Sequence, residues 1–178
     1  LFTFPYDWRY GVSGVFSDGK SNEDVLKQKI AEIRTLTGSD KVDIVAHSTG
    51  GLLVKKYAMD YLADNHIGKA VFVGVPNLGA PKAVKTLLQG DNFGIIFLSD
   101  AEMKKVAENL PVSYDLSPSK EYVSRNGSYF TRTTFGTETE IKKEEFSFAQ
   151  LKNVLSLEHN LNLQALTNAE DFHSSIFD

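Results

Sequence analysis

The run Ala46-His47-Ser48-Thr49-Gly50-Gly51 sets a serine two positions after a small residue and two positions before a glycine. This is the spacing of a nucleophile elbow, a sharp strand-to-helix turn that pushes a hydroxyl out of the fold. Strand and helix crowd at such a turn, so its flanking positions must be small. Ala46 stands where a glycine is commoner, and Gly50 and Gly51 complete the pattern. The chemistry that suits it is acyl transfer, in which Ser48 attacks an ester carbonyl and water or an alcohol discharges the acyl-enzyme. The helix that follows would aim backbone N–H groups and its positive dipole end at a developing oxyanion. The N–H of Thr49, directly after the serine, is the expected first donor.

A serine needs a base. His47 is adjacent to it, and neighbouring side chains on a sharp turn point apart, so His47 is expected in a packing or polar-network role. In this arrangement the chain order is serine, acid, histidine. His66 follows in Asp64-Asn65-His66, which reads as a surface turn, while His159 and His173 fall in amphipathic helical stretches, as do Glu158 and Asp171. None sits on a loop after a late strand, where a base belongs. All are read as structural, and the catalytic acid and base are expected beyond Asp178. Asp7 and Arg9, in Tyr6-Asp7-Trp8-Arg9, suit either a substrate clamp or a buried ion pair packed on Trp8, and the ion pair is the preferred reading.

The elements that must hold Ser48 can be read around it. Leu1 to Tyr6 is a short apolar run that reads as a buried strand entered midway, so the start is taken as cropped. Tyr10 to Lys20 is a glycine-bearing loop. Ser21-Asn22-Glu23-Asp24 has the form of a capping box, and Val25, Leu26, Ile30, Ile33 and Leu36 then share one helical face up to Gly38. Lys41 to Ala46 is a β-branched strand, Gly50 to Leu62 a helix, and Lys69 to Val75 a strand stopped by Pro76. Strands separated by helices of this length indicate βαβ units and a parallel sheet.

Past Pro76 the character changes. Pro81 to Leu88, Ala101 to Leu110, Ile141 to Leu157 and Asn168 to Phe177 read as helices, and Tyr129 to Phe135 as a strand. Phe93 to Leu98 is strongly apolar and is expected in the core of this half, with a lipid-facing lid surface as the alternative. The expected class is α/β: a partial α/β-hydrolase fold, a parallel sheet flanked by helices, with a mainly helical cap or lid insertion. Residues 1–90 form the central part with the elbow, and residues 91–178 the cap-like region. Three parallel strands alone would leave long open edges, a second sign of a fragment.

Composition narrows the rest. The 178 residues are 42% hydrophobic and 24% charged with a net charge of -4, a globular balance without the basic surface that nucleic acid requires. There is no Cys and there are four His, which excludes disulfides and thiolate chemistry and argues against a structural zinc site. The mechanism calls for no metal or organic cofactor. The compartment stays open, and a secreted or extracellular location is compatible with the composition.

Three stretches carry a resemblance: FPYDWR at Phe4 to Arg9, VDIVAHSTGGLL at Val42 to Leu53, and GVPNLGAPKA at Gly74 to Ala83. Together they resemble the lecithin:cholesterol acyltransferase family of α/β hydrolases, in particular its bacterial lipase-like members. LPVSYDLSPS at Leu110 to Ser119 is similar to that family's cap. The resemblance covers the first two-thirds of the chain, and its first and third stretches are more specific than the elbow. It implies a Ser–Asp–His triad with Ser48 as nucleophile, and acyl transfer from a lipid ester to water or an alcohol, with transient contact at a lipid surface. It also implies a second oxyanion donor from a loop before Leu1, and an acid and a histidine on strands after the cap. The competing readings are a hydrolase fold kept as a non-catalytic scaffold for lipid or a partner, and a thioesterase or peptidase of the same fold.

Overall fold

The computed structural model describes residues 1–95, 97–135 and 141–177. Its first half is a helix–strand–helix–strand run. Helix α1 (Asn22–Thr37) opens on a complete capping box, in which the Ser21 side chain takes the Asp24 N–H and the Asp24 carboxylate takes the Ser21 N–H. It closes on Gly38, which adopts a left-handed φ of 68°. Strand β1 (Val42–His47), helix α2 (Thr49–Asp60) and strand β2 (Ile67–Val73) follow. The two strands are parallel, with Ile44 opposite Ala70 and His47 opposite Val73. The register slips between Val42 and Ile44, where the Asp43 carboxylate accepts the Lys69 N–H at 2.8 Å in place of a ladder bond.

The second half contains α3 (Pro81–Gln89), α4 (Asp100–Glu108), α5 (Pro111–Asp115) and α6 (Lys120–Asn126), then an antiparallel hairpin of β3 (Thr131–Phe135) and β4 (Ile141–Glu145). Helix α7 (Phe148–Asn153) runs into a π-turn at Val154–Glu158, and α8 (Leu163–Phe177) follows. No helix among the described residues is long and apolar enough to cross a membrane.

Burial divides into clusters. The first joins Leu26, Ile30, Val42, Ala46, Leu52, Leu53 and Tyr57 around β1 and α2, and it takes in Phe172 and Ile176 from α8. The second joins Val84, Leu87, Tyr114 and Leu155 with Leu166 and Ala169, again from α8. Helix α8 therefore stands between the two and serves both.

Four expectations are corrected. Leu1 to Tyr6 is not a strand, so the sheet holding Ser48's strand has two strands and not three. Pro5 offers no N–H, and a groove of about 620 Å³, lined by both segments, separates Phe2, Phe4 and Tyr6 from β1. Phe4 and Tyr6 pack instead on the first cluster. Ile141 to Glu145 is a strand and not a helix. Its Lys and Glu residues favour a helix in isolation, but cross-strand pairing wins, with Thr131 opposite Glu145 and an Arg132–Glu144 ion pair at 3.5 Å. Phe93, Ile95, Phe97 and Leu98 lie at the surface and not in a core; Ile96 lies outside the described residues. The Asp7–Arg9 pair forms at 2.6 Å but is exposed, as is Trp8. It closes a single 3-10 turn at Trp8–Tyr10, with the ion pair on its solvent side.

Candidate active site

Ser48 stands between the last residue of β1 and the first of α2 with φ 52° and ψ -131°. A positive φ is costly for a residue with a Cβ. It persists here because both sides are fixed. The Ser48 N–H donates to the Val73 carbonyl at 3.0 Å, extending the parallel ladder, and the Ser48 carbonyl accepts the Gly51 N–H at 3.0 Å. The side chain is half-buried and makes no capping bond to α2. The N–H groups of Thr49 and Gly50 belong to the first helical turn, where no intrahelical acceptor exists.

Packing beneath the turn is uneven. Ala46 is buried. A Cβ built on Gly51 would lie 2.1 Å from a Val75 methyl and 3.0 Å from the Phe72 ring, whereas one on Gly50 would meet only Tyr6 Cε1 at 3.7 Å. The close approach of helix to sheet is thus made at Gly51, one residue later than the motif's spacing implies. The Thr49 side chain is hydrogen-bonded to Tyr6, whose phenol is pushed up in pKa by burial. The large groove reaches this place, since Ala46, His47 and Gly50 form part of its wall.

The histidines lie apart from one another. His47 is exposed, with Nε2 3.9 Å from where a Gly74 Cβ would stand. The end of β1 is uncovered on that side. His66 is held by Asp64 at 2.6 Å in the turn before β2. His159 meets the Phe130 ring edge-on at 5.6 Å. His173 is buried in α8 beside Phe172, and burial pushes its pKa down. Among the described residues no three His, Asp or Glu side chains converge to hold a metal ion.

Sequence reasoning missed the brace behind the Asp7–Arg9 turn. Asn22, fully buried, donates its side-chain amide to the carbonyls of Asp7 at 2.9 Å and Gly11 at 3.0 Å. The buried Asp115 accepts the Val12 N–H at 2.7 Å, and burial raises its pKa to about 6. Gly11, at φ 75°, has no room for a Cβ, which would sit 2.5 Å from Asp115 Oδ2. Asn22 looked like capping-box filler and Asp115 like part of a cap. Only Asp115 lies in a stretch that the resemblance covered, and no local signal pointed to Asn22.

Comparison with known proteins agrees with these stretches. The sequence profile of the family described as Lecithin:cholesterol acyltransferase matches residues 1–175. A protein from Bos taurus described as "Lysosomal phospholipase A and acyltransferase" is 29% identical over 143 residues, covering 71% of this chain and 32% of that protein. One from Arabidopsis thaliana described as "Lecithin-cholesterol acyltransferase-like 4" is 27% identical over 124 residues, covering 65% of this chain and 22% of that protein. The chain therefore spans under a third of the length of these relatives. With the family's profile matched across nearly all of it, and a mixed α/β fold built on a small parallel sheet, the chain belongs to the lecithin:cholesterol acyltransferase family.

Proposed function

We propose that Ser48 is the nucleophile of an enzyme that moves an acyl group from a lipid ester to water or to an alcohol. The observation that carries this is the Ser48 backbone, held at φ 52° between a parallel strand and a helix start with its hydroxyl free of any capping duty. A nucleophile elbow needs that geometry, and a purely structural turn would use glycine there. The names of the two relatives, a phospholipase and acyltransferase and an acyltransferase-like protein, support the same class of reaction.

In this reading Ser48 Oγ attacks the ester carbonyl, its proton passes to a histidine, and the alcohol leaves with that proton. Water or an acceptor alcohol then releases the acyl group from Ser48. The N–H of Thr49 donates to the oxyanion, with the α2 dipole behind it. Ala46, Gly50 and Gly51 let helix and strand approach. His47 is not the base. His66 is held by Asp64, His159 packs on Phe130 and His173 is buried beside Phe172, and none of them is assigned as the base. Asp7 and Arg9 fix the turn after Tyr6. Residues 91–178 serve as the cover of the site. No step uses a metal or organic cofactor.

The test is fluorophosphonate labelling of the full-length protein. Wild type is expected to label and Ser48→Ala to lose the label entirely. Labelling that persists in Ser48→Ala removes Ser48 from the mechanism, and a folded wild type that never labels favours a non-catalytic scaffold.

A further inference from the structure

Serine caps four other helices by accepting a first-turn N–H on its side chain: Ser21 before α1, Ser99 before α4, Ser119 before α6 and Ser147 before α7. Ser48 stands at the same place before α2 and makes no such bond. Its N–H and carbonyl are held by Val73 and Gly51. Those bonds act on Ser48 and not on the residue after it. The tie on Thr49 comes from outside the helix, where its hydroxyl shares a hydrogen bond with the Tyr6 phenol.

Tyr6 is itself well anchored. Its ring lies against the first turn of α2, with Cε1 3.7 Å from where a Gly50 Cβ would stand. It stacks on Phe4 at 6.4 Å with the planes 11° apart, and it packs on the first buried cluster. The carbonyl of the next residue, Asp7, accepts the side-chain amide of the buried Asn22 at 2.9 Å, which ties the segment to α1. Burial raises the pKa of the phenol, so it stays a neutral hydroxyl at neutral pH. Thr49 is β-branched and stiff about χ1, so fixing its hydroxyl also restricts how its backbone faces. The bond therefore runs from a separate, braced segment to the residue whose N–H is assigned to the oxyanion.

We propose that Tyr6 is a positioning residue, which through the Thr49 hydroxyl holds the Thr49 N–H on the oxyanion of the acyl-transfer step. The proposal deepens the Ser48 reading and rests on it. Tyr6 makes and breaks no bond with substrate. An oxyanion donor works by being aimed before the charge develops. Loosening its aim therefore costs turnover and leaves ground-state binding alone. A role in packing alone would reside in the ring, and phenylalanine would keep it.

The test is hydrolysis of p-nitrophenyl butyrate by the full-length protein, together with its rate of fluorophosphonate labelling. Tyr6→Phe is expected to lower kcat by roughly tenfold with KM little changed, and to slow labelling by a similar factor. Thr49→Val, which keeps the N–H and loses the hydroxyl, is expected to match it, and Thr49→Ser to lose less. The double variant Tyr6→Phe with Thr49→Val should be no worse than either single one, because both remove the same bond. Tyr57→Phe is the control. It deletes a phenol bond to the Asn65 carbonyl, 3.0 Å long, near the far end of α2, and is expected to lower the urea midpoint without touching kcat. Three results would each overturn the proposal while leaving Ser48 in place, provided that Ser48→Ala abolishes labelling. They are Tyr6→Phe with wild-type kcat and labelling, single losses that multiply in the double variant, and Tyr57→Phe losing as much kcat as Tyr6→Phe. Labelling that survives Ser48→Ala, or a folded wild type that never labels, ends the acyl-transfer reading and this proposal with it.

Discussion

A Cβ on Gly51 would lie 2.1 Å from Val75 Cγ2, so α2 can sit where it does against the end of β2 only because residue 51 has no side chain. At Gly50 the nearest atom would be an ordinary 3.7 Å away. Gly51→Ala is therefore expected to cost about 1–3 kcal/mol, the usual toll of overpacking. Gly50→Ala is expected to be nearly neutral, since alanine favours the helix that it enters. Urea midpoints of the two variants decide this. Equal midpoints would mean that Val75 yields freely and that Gly51 is not the point of closest approach.

The bond from the Val12 N–H to Asp115 joins the turn after Tyr6 to α5 in the second half. Asp115→Ala leaves that buried donor without an acceptor, at a cost of about 1–3 kcal/mol. Asp115→Asn keeps an acceptor oxygen and is expected to lose less. Proteolysis within residues 7–20 offers a local readout. Cleavage there should rise in Asp115→Ala, and an unchanged pattern would show that Asn22 alone holds the turn.

Glu23 is buried between α1 and α2, hydrogen-bonded to Asp60, with Lys56 also on Asp60. Burial first, then the Asp60 bond, push its pKa from the usual 4.5 up to about 8. A carboxyl with a raised folded-state pKa holds a proton that the unfolded chain releases. Its contribution to stability is full below about 4.5 and is lost as pH rises through about 8. Asp115 acts with the same sign but is spent by about pH 6. Between pH 6 and 8 the decline should therefore belong to Glu23, and Glu23→Gln, which keeps a donor and cannot ionise, should flatten it. Denaturation midpoints across that interval give the slope. A decline as steep in Glu23→Gln as in wild type would refute the assignment.

What the sequence disclosed and what it withheld follow from where the information lies. The capping box at Ser21, the left-handed Gly38 and the β-branched run before Ser48 are local signals, and each produced the element read from it. The candidate nucleophile was legible because its turn needs a fixed set of neighbours within a few positions. Ile141 to Glu145 was misread because its fate depends on a partner strand and not on its own residues. Leu1 to Tyr6 was misread because apolar composition shows that a segment will pack, but not whether it will pair. The surface position of Phe97 was hidden for the opposite reason, since nothing in an apolar run says that its loop is pinched at Gly90 and turned outward. The Asn22–Asp115 brace depends on residues far apart in the chain, and no periodicity reports it.

Helix α8 places Phe172 and Ile176 against the cluster that seats α2, while Leu166 and Ala169 of the same helix belong to the other cluster. A ribosome therefore releases the serine's helix long before it makes the piece that finishes its bed. Until α8 arrives, nascent α2 must wait with part of its apolar flank open to water. Removing α8 would open both clusters at once, so neither half can be trimmed at this helix without loosening the floor on which the other rests.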